Sequence, residues 1–339
     1  MPKTTTQKDP AKVTPTKAPA SAPADAAAPN QKTLIAPNSQ VSVKIAWSVI
    51  APVYEKHLKK AAAHVQTPGF RKGKVPLSMV EERIDLNHLY EHVLQEVLPD
   101  VYLAELKKTE KKPISQPEID PKHLHKGEDW ELDVYFAEQP EINVGKYQET
   151  VKKAKKLAAT EIKEVTEARA KSAKEAVEST KATDPKTTAA PSTDLTQSEQ
   201  DDITLKHIFR ELVTTVEPAI PELLVRQEMN RELRQLGEKL AELGIPIEQF
   251  LTSRKMTAEQ LRQEYGAMAL SSLQVEFLLA EVAKVATLQA ADEEVSAELE
   301  KITKDLAQPL TDDQRTEYRS YIFSQLTKQK VMKHLLEVV

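Results

Sequence analysis

Between Gly145 and Gly237 the chain runs without a glycine, and between Tyr147 and Phe209 without an aromatic residue. Glycine takes positive φ at no steric cost, so a long stretch without it is poorly suited to a succession of tight turns. The missing aromatics remove the large side chains that anchor sheets and line enclosed pockets. Residues 151 to 181 are instead rich in Lys, Ala, Glu and Thr, a composition that favours helix, and Asp184 to Asp194 is a Pro, Thr and Ala-rich linker. For residues 148 to 194 as a whole, a solvated helix and a partly disordered linker both remain open.

The segment before this desert has a different texture. Residues 1 to 31 mix Pro, Ala, Thr and Lys with no aromatic, a composition that buries too little surface to offset ordering entropy, and are expected to be a disordered tail. In residues 32 to 147, Val41, Val43, Ile45, Trp47 and Val49 alternate with smaller or polar residues, as do Trp130, Leu132, Val134 and Phe136. Period two is the pattern of a strand with one buried face, and the two strands are expected to share one antiparallel sheet. A further strand is expected at Lys32 to Ile35, hairpinned through Pro37-Asn38. Helices are expected from Pro52 to about Val65 and from Leu77 to Lys108, with Pro99 kinking or splitting the second.

The two helices are joined by Pro68-Gly69-Phe70-Arg71-Lys72-Gly73-Lys74-Val75-Pro76, which carries two of the chain's seven glycines. A ring among three cations on so short a tip must face water or an anionic partner, because burying that charge unpaired is prohibitive. A solvated basic loop with Phe70 packed inward is the plainer alternative. The string resembles the ribosome-docking signature of the trigger factor family of bacterial chaperones, and Gly69, Phe70, Arg71, Gly73, Lys74 and Pro76 match its Gly-Phe-Arg-x-Gly-Lys-x-Pro pattern. The resemblance implies a ribosome-binding domain over 32 to 147, with Phe70, Arg71, Lys72 and Lys74 touching protein and rRNA at the tunnel exit. It also implies a prolyl isomerase domain of the FKBP type where the glycine-free stretch lies. An aromatic proline pocket cannot be built there, so that domain is expected to be missing.

Residues 195 to 339 read as consecutive helices. Thr196-x-x-Glu199, Thr257-x-x-Gln260 and Thr311-x-x-Gln314 are capping boxes that propose three helix starts. Pro218 and Pro221 break the chain before a helix from Glu222 to about Leu243, which Gly244 follows. Leu261, Tyr265, Met268, Val275, Leu279 and Val282 form an apolar stripe that Leu273 and Phe277 widen. So broad a stripe packs on several neighbours or offers surface to a partner. The stretches Ile220 to Leu224 and Leu243 to Leu251 are similar to their counterparts in the family's C-terminal chaperone domain. On that resemblance Met256, Met268 and Phe277 are candidates for holding clients.

Several chemistries are set aside. The absence of cysteine removes disulfides, thiolate nucleophiles and cysteine-ligated metals, and scattered glycines form no phosphate cradle, so neither ATP nor another cofactor is expected. His88 and His92, four apart with Glu96 a turn later, have metal-ligand spacing but lack further ligands, and with His123 and His125 are read as solvated or half-buried residues. Glu81-Glu82 and Asp312-Asp313 are read as helix-start or solvated charges. A net charge of −5 makes any RNA contact local, and no uninterrupted apolar run approaches the length of a membrane span.

The reading is thus an α+β chain, a small N-terminal antiparallel sheet with helices followed by an all-α body. By resemblance it is a non-enzymatic, cytoplasmic, ATP-independent chaperone whose partners are the ribosome and nascent or unfolded polypeptides, with no membrane. A homodimer off the ribosome is left open. The alternative is a ribosome-associated scaffold that holds no clients.

Overall fold

The computed structural model describes residues 34–65, 70, 75–179, 194–304 and 310–338, with backbone alone for 173–179. The expected tail over 1 to 31 therefore lies outside the described residues, as do most of the linker and most of the nonapeptide.

The sheet is built as the alternation predicts, with one strand more. β2 (Ser39–Ile45) and β4 (Trp130–Phe136) pair antiparallel, Ser39 opposite Phe136 and Ile45 opposite Trp130. β3 (Glu118–His123) adds to the far side of β4, giving the order β2-β4-β3. Pro121 hid β3 from the pattern; a residue that cannot donate is tolerated because β3 is an edge. Val41, Val43, Ile45, Trp130, Leu132, Val134 and Phe136 face one way and are buried beneath two helices.

Those helices differ from expectation at their starts. α1 (Trp47–Ala62) begins where the alternation still suggested strand, so Pro52 lies inside it rather than in its first turn. The reason is tertiary: the Trp47 amide donates to Asp129 Oδ1 at 2.9 Å, just ahead of β4. The second helical region breaks not at Pro99 but at residues 82–85, into α2 (Leu77–Glu81) and α3 (Leu86–Thr109). Asp85 caps α3 by accepting from the Asn87 amide at 2.9 Å. Pro99 sits within α3 on its exposed side, where water can take the bond the helix forgoes.

The expected hairpin through Pro37-Asn38 does not form, and Lys32 and Thr33 lie outside the described residues. Instead β1 (Ile35–Ala36) pairs in parallel with β5 (Ile220–Pro221), far along the chain. Asn38 then caps α6 (Glu222–Glu242): its Oδ1 accepts from the Leu223 amide at 2.7 Å and its Nδ2 donates to Glu222 Oε2 at 3.0 Å. The cap that Pro221 cannot supply comes from the N-terminal module.

α4 (Tyr147–Ser179) supplies the helix expected in the glycine-free stretch, and it has a buried face. Tyr147, Val151, Ala154 and Ala158, spaced four, three and four apart, are buried. They lie against α5 (Gln197–Val216), and along the seam Lys153 meets Glu211 at 2.7 Å, His207 meets Glu161 at 2.5 Å and Arg169 meets Glu199 at 2.8 Å. Lys155 Nζ donates to the carbonyls of Leu336 and Val338, and burial lowers its pKa.

The rest is α7 (Ile247–Arg254), α8 (Ala258–Val285), α9 (Asp292–Lys304) and α10 (Asp312–Glu337). All three capping boxes close reciprocally, at the starts of α5, α8 and α10, and Gly244 follows α6 at φ +66. α8 is the hub. Leu278, Leu279 and Val282 join Val151, Ile208, Leu212, Val331 and Leu335 in one core, while Ala269 and Leu273 pack with Ile220 and Val225 in another. Buried Gln274 donates to the Pro218 carbonyl at 3.0 Å, fixing the turn before α6. By length and composition α8 is long and apolar enough to cross a membrane, although Glu276 and Glu281 interrupt its apolar run; its buried residues are those just named, with Leu261 and Ala283.

Candidate functional site

The chain leaves α1 after Lys59 and Lys60, which suit the negative end of a helix, and re-enters helix at α2. Each root of the intervening loop is pinned: Ala62 and Val75 are buried, and the Pro76 carbonyl accepts from the amides of Met79 and Val80 at 3.0 and 3.1 Å. Between these roots Phe70 is 43 % exposed, so the inward-packed alternative does not describe it. Gly69, Arg71, Lys72, Gly73 and Lys74 lie outside the described residues. Pro76 is the residue preceding α2, at φ −56.

At the end of α2, Glu81 is not the solvated charge the sequence suggested. It accepts from the Tyr54 hydroxyl and, at 2.6 Å, from Lys126. Burial pushes its pKa up, but the hydrogen bonds from Lys126 and Tyr54 outweigh burial and hold it below the usual carboxylate value. Tyr54 is pushed up, by burial first and then by Glu81. Asp312 and Asp313 occupy the first turn of α10, as expected.

The histidine pair makes ring contacts. The rings of His88 and His92 meet edge-on at 4.5 Å between centroids, and His92 lies parallel to His57 of α1 at 5.7 Å. Glu96 is held by Lys56 at 2.6 Å and His57 at 3.0 Å. His123 meets Glu128 at 2.5 Å. Among the described residues no group of three or more His, Asp or Glu is arranged to hold a metal ion.

The second surface is apolar and lies on the helical body. Leu243, 71 % exposed, and the exposed Ile245 and Ile247 follow one another through the α6–α7 turn. Of the three client candidates, Met268 is 53 % exposed, whereas Met256 and Phe277 are half-buried and Phe277 packs against the core of Ile220 and Leu273. On α10, Tyr318, Tyr321 and Phe323 are exposed, and Phe323 borders a cleft of about 280 Å³ with Leu279, Ala283 and Leu288. The α6–α7 turn was visible as an apolar string; the α10 aromatics carried no local signal because charged residues separate them from the core pattern.

The sheet module and the helical body are joined by several contacts. Besides β1/β5 and the Asn38 cap, Arg226 of α6 donates from Nη1 to Glu118 of β3 at 3.1 Å and from Nη2 to its other oxygen, and from Nε to Glu222 at 2.9 Å. The Arg226 hydrogen bond holds the Glu118 carboxyl below its usual pKa, against a smaller opposing effect of burial.

Residues 30–175 match the family model for bacterial trigger factor protein, and residues 195–337 match that for the bacterial trigger factor protein C-terminus. Trigger factor of Staphylococcus carnosus (strain TM300) is 34% identical over 108 residues, covering 32% of this chain and 24% of that protein. Trigger factor of Staphylococcus aureus (strain JH9) is 30% identical over 126 residues, 37% of this chain and 29% of that protein. These alignments span under a third of the relatives' own length. A solved structure described as "Promiscuous Substrate Recognition in Folding and Assembly Activities of the Trigger Factor Chaperone" covers 89% of this chain and 97% of its own, with TM-score 0.49 at 14% identity. With both models matched in order over most of its length, the chain is a member of the trigger factor family.

Proposed function

We propose that the chain is an ATP-independent chaperone that docks beside the ribosomal tunnel exit through residues 68–76 and holds emerging polypeptides on its helical body. The observation that carries this reading is the exposed Phe70 on a loop whose two roots are buried, within a matched family signature. In it Phe70 is the short-range apolar anchor, and Arg71, Lys72 and Lys74 meet phosphates or carboxylates. Pro76 closes the loop at the start of α2. The client surface is Met268 with the α6–α7 turn and the α10 aromatics; Met256 and Phe277 contribute only their exposed fractions.

Holding is the sum of many weak apolar contacts, each easily released, and docking raises the local concentration of that surface near the chain. No nucleotide or metal enters the cycle. The reading is of a non-enzymatic protein acting in the cytoplasm: fewer than twenty residues separate the two family matches, too few for an isomerase domain. The experiment is suppression of aggregation of a chemically unfolded protein on dilution, without nucleotide. Suppression that saturates with added chaperone supports holding, and none at a large molar excess leaves the scaffold without client-holding.

A further inference from the structure

The docking tip and the client surfaces leave one cluster of titratable side chains unused. Between the C-terminal half of α1 and the start of α3 runs an open groove of about 760 Å³, lined by His57, Lys60, His64, Asp85, His88 and His92 among others. Half of the chain's eight histidines are in it. Val65, three residues ahead of Pro68 in the sequence, is among its lining residues.

The charges there are lopsided. From α1 and the turn after it face Lys56, His57, Lys60 and His64; from α3 and its cap face His88, His92, Glu96 and Asp85. Both carboxylates are committed, Glu96 to Lys56 and His57, and Asp85 to the Asn87 amide. Among the described residues Lys60 has no ion-pair partner, and His64, His88 and His92 are exposed. The groove therefore presents one permanent cation and several imidazoles to solvent, and imidazole is the side chain that changes charge between about pH 5 and 8.

We propose that this groove binds a segment of RNA backbone and base beside the docking loop, and that its grip tightens as the pH falls. Lys60 and protonated imidazoles meet phosphate, while the exposed His88 ring offers a face on which an unpaired base stacks; His92 already lies against His57. An acidic protein surface would need the cations alone, and gains nothing from ring faces in a cleft of nucleotide size. The placement of that RNA at the ribosome rests on the docking reading above; the groove's affinity for RNA does not.

The test is fluorescence anisotropy with a labelled single-stranded RNA oligonucleotide and the intact protein, at about pH 6 and about pH 8, over a salt series. The variant combines Lys60→Gln, His88→Gln and His92→Gln at exposed positions, with circular dichroism as the folding control. Wild type should bind more tightly at the lower pH, and the variant should lose most of that gain. The slope of log affinity against log salt should fall by about 0.7 for each cation removed. Equal wild-type binding at both pH values, or a variant that keeps the gain, overturns the inference. Poly-glutamate run in parallel tests the other occupant: if the variant loses poly-glutamate binding but not RNA binding, the groove meets acidic protein instead. Ribosome pelleting of a Phe70→Ala, Arg71→Ala, Lys72→Ala variant separates the two claims, since RNA binding with no pelleting of wild type refutes docking alone.

Discussion

Replacing Val151 by Ala tests whether α4 is part of the helical body or only a tether across the place of a missing domain. Val151 is fully buried among Ile208, Leu212, Val282, Val331 and Leu335. Removing two carbons forfeits roughly 1.6 kcal/mol of transfer free energy at about 0.8 per carbon, and the residual cavity adds to it. The better helix propensity of Ala returns a few tenths, which leaves a net loss of about 2 kcal/mol. In urea that lowers the unfolding midpoint by about 1 M. The assay is urea unfolding followed by circular dichroism, which reports the helices, and by tryptophan fluorescence. Both tryptophans, Trp47 and Trp130, belong to the sheet module, so the two signals report different cores. Lys152→Ala, exposed on the same turn, should change stability by less than about 0.5 kcal/mol. If Val151→Ala is as silent as Lys152→Ala by circular dichroism, α4 carries no packing energy and the reasoning fails.

Glu199 is held at about 2 by the Arg169 hydrogen bond first and by Thr196 next, so its contribution is present above the ordinary value of 4.5 and is lost as pH falls toward about 2. Carboxyl-resolved NMR should give a midpoint near 2 that Arg169→Gln raises; an unmoved midpoint refutes the pairing. Gln274→Leu leaves the Pro218 carbonyl without its donor and should cost about 1–3 kcal/mol in thermal or chemical unfolding, with no loss counting against the bond. Leu243→Ser with Ile247→Ser should weaken binding of an unfolded client about thirtyfold, at about 1 kcal/mol for each withdrawn side chain, with an unaltered melting temperature. Unchanged client affinity removes the α6–α7 turn from the holding surface.

What the sequence revealed was local. The Trp130 to Phe136 alternation and the three Thr-led capping boxes each depend on a few neighbouring residues, and all formed where expected. Features that depend on distant partners were hidden. The start of α1 rests on Asp129, and α6, whose start at Glu222 was legible, takes its cap from Asn38; both partners touch those helices only in the folded chain, and β1 finds β5 across most of the chain. The buried stripe of α4 was obscured because two of its four members are Ala, a weak hydrophobic signal amid lysines. Of the site, the Phe70 tip was legible as a motif, whereas the histidine groove was not: His57 lies on α1 and His64 just past its end, His88 and His92 on α3, and only packing brings them together.

Ribosome co-sedimentation tests the central claim most directly, comparing the intact protein with a Phe70→Ala, Arg71→Ala, Lys72→Ala variant at low and moderate salt. The account predicts that wild type pellets with ribosomes, less so as salt rises, and that the variant stays in the supernatant with an unchanged circular dichroism spectrum. Equal pelleting of both, or of neither, contradicts it.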